Sequence, residues 1–306
     1  MKAKKILVTG ATGMLGRELV RTWSSECDVR GVSRRGGERT AACDLSDVRQ
    51  TESLFKGRHV YDLVVHTAAY SDVDGCERDP ELARASNALA TRTLASACGR
   101  KKIPLVYVST DYVFDGRKSS PYLESDPVCP VNIYGMTKLE GEYHTKNLAL
   151  VSAIVRTSWL FGAGNPKNFV NQIIERLKKE TEVSVLADQK DCPTYVRDLA
   201  GALGKIGSRL IRLADQKPKK PVSETYHVCN HGVTTRYAMT LKIKEFLGLR
   251  KKRVLLADAQ RLTGRLAIRP PYAAMSCARY DRIFRSPLRR WEAALEDYLA
   301  ELKAKR

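Results

Sequence analysis

The sequence predicts an α/β fold in which a doubly wound parallel sheet carries a smaller C-terminal lobe. Three observations predict it. Short β-branched runs alternate with amphipathic helical stretches through the first half of the chain, the progression that builds parallel β-α-β units. A glycine-rich turn, Gly10-Ala11-Thr12-Gly13-Met14-Leu15-Gly16, follows the first run and opens directly into a helix. In the second half the alternation fades, and Pro218, Pro221, Pro270, Pro271 and Pro287 mark loops.

Taken in order, Lys5 to Thr9, Val29 to Ser33, Asp62 to Thr67, Leu105 to Ser109 and Ala153 to Arg156 read as strands. Met14 to Ser25, Pro80 to Arg100 and Ile133 to Lys146 carry apolar residues at the three- and four-residue spacing of helices covering a sheet. Further strands are expected at Val183 to Leu186 and Thr225 to Val228, and helices at Tyr195 to Ile211 and Thr235 to Leu247. A last helix, Leu288 to Lys303, places Trp291, Leu295, Tyr298 and Leu302 on one face. Residues 1–165 are expected to form a cofactor-binding part and 166–306 mainly a substrate-binding part, with some segments returning to the sheet.

Composition narrows the function class. With 306 residues, 43% of them hydrophobic, the chain can bury a large core. The apolar run after Met1, Lys2, Lys4 and Lys5 ends at Thr9, too early for a signal peptide. No stretch approaches the roughly 20 apolar residues of a membrane span, so a cytoplasmic protein with no membrane partner is expected. Eight cysteines are scattered without metal or redox spacing and read as reduced thiols, mostly buried. The net charge of +19 raises nucleic-acid binding. The basic runs, including Arg250 to Arg253 and the tail Lys303 to Arg306, are short and dispersed, which argues instead for a solvated surface that attracts phosphate-bearing ligands.

The glycine turn points to a dinucleotide. Its glycines permit a tight turn and close approach to a pyrophosphate, while Met14 and Leu15 begin a helix whose free amides favour anions. Strand before and helix after make this a Rossmann-like cofactor site around Gly10, Thr12, Gly13, Met14 and Leu15. At the end of the second strand an NAD-preferring site presents a carboxylate. This chain has Ser33, Arg34 and Arg35, which suit the 2′-phosphate of NADP(H). Asp44 and Leu45 either frame the adenine edge or, for Asp44, cap a helix starting near Ser46.

Tyr134 and Lys138 stand at i and i+4 on a helix, where an ammonium beside a phenol would lower its pKa and make proton transfer feasible. About one such pair is expected by chance in a chain with 13 tyrosines, so context decides. The strand Val106 to Thr110 ends beside this helix, at the carboxyl edge where open α/β sheets bind ligands, and Thr110 is placed to hydrogen-bond a carbonyl.

These residues sit in ordered blocks: GATGMLG from Gly10, HTAAYSDVDGCE from His66, STDYVFDG from Ser109, NIYGMTKLEGE from Asn132, RTSWLFG from Arg156, DQKDCPT from Asp188 and IRPP from Ile268. Together they resemble the dTDP-4-dehydrorhamnose reductase family of extended short-chain dehydrogenases/reductases, through nearly the whole chain. The resemblance implies Thr110, Tyr134 and Lys138 as catalytic residues, with Lys138 also holding the nicotinamide ribose. It implies cofactor contacts at Thr67, Ala68 and Ala69, and substrate contacts at Tyr70, Val73, Tyr112, Trp159, Asn168 and Arg269. NADPH would deliver hydride to a 4-keto carbon of a nucleotide sugar and Tyr134 the proton. Asp111 is followed by Tyr112 rather than by the glutamate usual in related dehydratases.

Three positions depart from the pattern. Asp191 stands where the family commonly has glycine, and Ala273 where it has a hydroxyl. Glu18 matches one acidic ligand of the magnesium ion some members bind between subunits, but Arg197 occupies the region of another, so no metal is expected. The alternative from another class is a cofactor-binding regulatory subunit like that of methionine adenosyltransferase; a homodimer is also left open. Trp23 and Trp291 read as core residues, and His66, His144, His227 and His231 as structural.

Overall fold

The computed structural model describes residues 3–56, 61–257 and 265–304; Met1, Lys2 and the final Lys305 and Arg306 of the basic tail lie outside them. Its centre is a seven-stranded, wholly parallel sheet. The strands are β1 (Lys5–Thr9), β2 (Asp28–Ser33), β3 (Thr40–Ala42), β4 (Leu63–His66), β5 (Leu105–Thr110), β6 (Val151–Thr157) and, after the three short strands β7 to β9 given below, β10 (Val222–His227). Their spatial order is β10-β6-β5-β4-β1-β2-β3. From β1 the chain winds outward through β2 and β3, then returns to add β4, β5, β6 and β10 on the other side. The reversal leaves a crevice at the carboxyl ends of β1 and β4, the place where such sheets bind ligands.

Both faces of the sheet are covered, which is why its strands read as continuous apolar runs. Ile6 and Val8 point to one face, where they pack with α1 (Met14–Trp23), α7 (Phe169–Lys179), α8 (Val196–Asp215) and α11 (Trp291–Ala304). Leu7 points to the other, against α2 (Val48–Ser53) and α5 (Ala90–Lys101). α3 (Val73–Arg78), α4 (Pro80–Arg84) and α6 (Ile133–Leu148) complete the wall beside the crevice. Trp291 is buried and Trp23 packs against the same core.

The second half adds small pieces: β7 (Leu160–Phe161) pairs with β9 (Thr194–Tyr195), and β8 (Glu182–Val185) with β11 (Arg253–Leu256). α9 (Arg236–Phe246) and α10 (Ala278–Phe284) flank them. Val113, Phe114, Tyr122, Cys192, Ala274 and Met275 form a separate small core there. All eight cysteines are free thiols and six are buried. Among the described residues no helix is long and apolar enough to cross a membrane.

Two expectations are corrected. The helix read as continuous from Pro80 to Arg100 is interrupted by a π turn, Ala85–Leu89. The wider turn lets the Asn87 side chain bridge Tyr70 and Thr137, accepting from Tyr70 N at 2.7 Å and donating to Thr137 Oγ1 at 3.0 Å. The helix expected near Ser46 starts at Val48, capped by Asp47, whose carboxylate accepts from Arg49 N and Gln50 N. Asp44 instead closes the preceding turn, accepting from Ser46 N at 2.9 Å and Ser46 Oγ at 2.7 Å.

Candidate active site

A cleft of about 720 Å³ runs along the carboxyl edge of the sheet. Its cofactor side is built by the glycine turn. Gly10 has φ +70°, and a Cβ there would lie 2.7 Å from Ala68 N. A Cβ on Gly16 would lie 2.2 Å from Gly10 O, so only glycine lets α1 start this close to β1. No side chain caps α1 and no acidic residue stands in its first turn, leaving its amides open to an anion. Thr12, Gly13, Met14 and Leu15 line the cleft there, with Ser33, Arg34, Asp44 and Leu45 beyond and Thr67, Ala68 and Ala69 opposite. Arg34 is exposed at the rim; Arg35, also exposed, does not line the cleft. This cradle, with glycines where a Cβ would clash and a free guanidinium at its far end, fits a phosphorylated dinucleotide.

At the other end Thr110, Tyr134 and Lys138 line the same cleft. β5 delivers Thr110, whose Oγ1 accepts from Tyr112 N at 3.2 Å and donates to Asp111 Oδ1 at 2.9 Å. α6 starts at Asn132, whose Oδ1 accepts from Gly135 N at 2.8 Å, and presents Tyr134 and Lys138 one turn apart. The Thr110 hydroxyl faces the Tyr134 phenol and favours its phenolate, a smaller effect than burial. Lys138 Nζ donates to Val108 O at 2.7 Å and lies 4.1 Å above the Tyr107 ring. Burial brings the Lys138 pKa down to about 7, partly offset by Glu142.

The expected lowering of the tyrosine pKa by its lysine is not met. Burial, and then the nearby Asp111 carboxyl, push the Tyr134 phenol up, and the amine is turned toward Val108 instead. A phenol kept protonated is the form that donates a proton.

Tyr70, Val73, Tyr112, Trp159 and Asn168, expected to meet the substrate, line the same cleft. Tyr112 meets Tyr134 edge to face, ring centres 6.0 Å apart. Trp159 has φ 39°, a left-handed backbone that costs a bulky residue about 1–3 kcal/mol. Its indole Nε1 is buried with no hydrogen-bond partner among the described residues. Asn168 caps α7: Oδ1 accepts from Asn171 N at 3.1 Å, and Nδ2 donates to Gly162 O at 3.0 Å and Asn165 O at 2.7 Å. Arg269 does not line the cleft. Its Nη2 pairs with Asp74 Oδ2 at 2.9 Å and its guanidinium lies 6.0 Å from the Tyr112 ring centre.

Several supporting residues escaped the sequence reading. Asp74 and Glu77 stand on α3. Asp74 Oδ1 accepts from Leu266 N and Ala267 N, at 3.1 and 3.0 Å, and Glu77 Oε1 accepts from Ile133 N at 2.8 Å, so α3 ties both a distant loop and the start of α6. Glu142 accepts from Ser109 Oγ at 2.6 Å and pairs with Arg156 at 2.7 Å beneath the site. The Arg236 guanidinium lies 4.6 Å from each of the Trp159 and Phe169 rings and faces the Asp191 and Asp188 carboxyls. Arg197 pairs with Glu18 at 3.7 Å and with Glu301, placing a cation among these acids. His66 Nδ1 and Nε2 lie 2.7 and 3.0 Å from the Thr9 and Thr91 hydroxyls.

The family described as RmlD substrate binding domain matches residues 4–304. A dTDP-4-dehydrorhamnose reductase from Streptomyces griseus is 38% identical over 296 residues, covering 95% of this chain and 91% of that protein. The crystal structure of a dTDP-4-dehydrorhamnose reductase from Clostridium acetobutylicum has a TM-score of 0.86 and 32% identity, covering 98% of this chain and 99% of that one. A Bacillus anthracis dTDP-4-dehydrorhamnose reductase in complex with NADP also has a TM-score of 0.86 and 32% identity, covering 98% and 100%.

Proposed function

The chain belongs to the dTDP-4-dehydrorhamnose reductase family, and from that premise we propose that it is an NADPH-dependent oxidoreductase of nucleotide-linked 4-keto-6-deoxysugars, converting dTDP-4-dehydrorhamnose to dTDP-rhamnose. The observation that carries the reading is one cleft joining the Gly10 turn to Thr110, Tyr134 and Lys138. The named relatives support it over a regulatory-subunit role.

In this reading residues 1–165 hold the cofactor: the α1 amides take the pyrophosphate and Arg34, with Arg35 behind it, the 2′-phosphate. NADPH, when bound, supplies the hydride. Thr110 orients the keto oxygen, Tyr134 Oη gives that oxygen its proton, and Lys138 holds the ribose side of the site. Residues 166–306 mainly serve the sugar nucleotide, with Tyr70, Val73, Tyr112, Trp159 and Asn168 along its path and Arg269 behind Tyr112. The same reading puts the enzyme in the cytoplasm and allows a homodimer.

The test is NADPH oxidation with dTDP-4-dehydrorhamnose. Tyr134→Phe keeps the ring and removes the proton, so kcat should fall about 10²- to 10⁴-fold while NADPH binding, read by fluorescence titration, stays within about twofold. Undiminished turnover in Tyr134→Phe would remove the tyrosine from the chemistry.

A further inference from the structure

Behind the Thr110 hydroxyl two carboxyls meet. Asp111 follows β5 and is 3% exposed; Asp191, on the loop between β8 and β9, is 1% exposed. Their side chains are hydrogen-bonded to each other. An ionised carboxyl only accepts, so this contact requires a proton between the two. The other partners are few. Cys192 N donates to Asp191 Oδ1 at 2.7 Å, the Ser158 hydroxyl also reaches Asp191, and Thr110 Oγ1 donates to Asp111 Oδ1 at 2.9 Å. Asp111 Oδ2 is buried with no N–H or hydroxyl donor. On its cleft side Thr110 faces the Tyr134 phenol, so Tyr134, Thr110 and Asp111 stand in file from the cleft to the pair.

We propose that Asp111 and Asp191 hold one proton between them and return it through the Thr110 hydroxyl to Tyr134 after each reduction. The inference rests on the reductase reading above. When the carbonyl carbon gains its hydride, the π pair moves to oxygen, and the Tyr134 O–H bond breaks as the product O–H forms. The phenolate takes the Thr110 proton. The Thr110 hydroxyl, turning from donor to acceptor, takes the Asp111 proton, and the pair is left with two negative charges until solvent supplies one proton. Asp191 does not line the cleft; it is a positioning residue that keeps Asp111 protonated.

The surroundings suit that task. Burial raises both carboxyls, and Asp191 raises Asp111 further while Asp111 lowers Asp191, so the shared proton rests on Asp111. Arg236, at the start of α9, is the cation facing Asp191. Tyr112, Tyr134, Cys192, Cys229 and Tyr272 are the other titratable groups that face the pair. Burial pushes Tyr112 up to about 12, so it does not compete for the proton at neutral pH.

The experiment uses the whole chain and two readouts. Infrared difference spectroscopy of the wild type at neutral pH should show the carbonyl stretch of a buried carboxylic acid, and Asp191→Asn should lose it. In turnover, Asp191→Asn should lower kcat about tenfold and move the alkaline limb of its pH profile about one unit toward acid, with both KM values within about twofold. Asp191→Glu, which restores a carboxyl, should recover the band and most of kcat. Asp111→Asn dissolves the pair from the other side and should likewise lose the band, which covers an Asp191→Asn chain that fails to fold. A wild type without the band, or an Asp191→Asn pH profile superposing on the wild type, would overturn the relay. A wild type that shows the band but reduces no nucleotide keto sugar would overturn the reductase reading, and the relay with it, while leaving the shared proton in place.

Discussion

Arg34 and Arg35 are neighbours in sequence but not in surroundings. Both are exposed, yet only Arg34 lines the cleft, at the end of β2 where a 2′-phosphate would lie. Guanidinium binds phosphate in two parallel hydrogen bonds, and a lysine or a solvated arginine nearby does not replace that geometry. Arg34→Ala should therefore lower the ratio of kcat/KM for NADPH over NADH by about tenfold, and Arg35→Ala by clearly less. Equal effects would place the phosphate between them; no effect of either would move it elsewhere. The residue types here were legible because a cofactor acts on consecutive positions of one turn. The Asp111–Asp191 pair was not, since only the fold brings residues eighty apart together, and Asp191 read alone was just an unexpected substitution for glycine.

At the scale of elements, α6 carries Tyr134, Lys138 and Glu142 at successive turns and must sit at a fixed height over β5 and β6. Glu142 does the fixing. It accepts from Arg156 Nε at 2.9 Å and Nη2 at 2.7 Å and from Ser109 Oγ, with both charged side chains almost wholly buried. Removing one partner leaves a buried charge uncompensated, whereas removing both need not be costly. Arg156→Met is expected to destabilise the fold by about 3–5 kcal/mol, and the double variant Arg156→Met with Glu142→Leu to recover most of that loss. Urea unfolding of the three proteins checks it, and additive losses in the double variant would show that the two residues act separately. The strands beside this pair were easy to read, because burial on both faces writes an unbroken β-branched run. β7 and β9 have two residues each and hence no period to detect. α7 could have been found: Val170, Ile173, Ile174 and Leu177 follow helical spacing and all are buried. The π turn could not, since its pattern differs from an α-helix by one residue's phase.

For the whole molecule, the +19 surface favours anionic ligands, but the pH response of stability is set inside. His66 and His227 are fully buried, and burial brings each pKa from 6.5 to about 3. His227 Nδ1 donates to Tyr122 O, 3.1 Å away, which fixes the Nδ1–H tautomer of the neutral ring. Between pH 6.5 and about 3 the unfolded chain binds a proton at each of these rings and the folded chain does not. Their contribution is therefore complete above pH 6.5 and declines as pH falls, by about 1.4 kcal/mol per unit for each ring. Asp111 and Asp191 act in the opposite sense. Their folded pKa values are raised, so the folded chain binds protons more readily and gains stability as pH falls toward the ordinary carboxyl range. The measured profile is the difference of the two effects and is flatter than either. A histidine variant separates them: the unfolding free energy of wild type minus that of His227→Gln should decrease by about 1.4 kcal/mol per pH unit below 6.5, whatever constant offset the glutamine introduces. A difference independent of pH would mean that His227 takes up its proton in the fold as readily as in the unfolded chain, against the lowering that its burial causes.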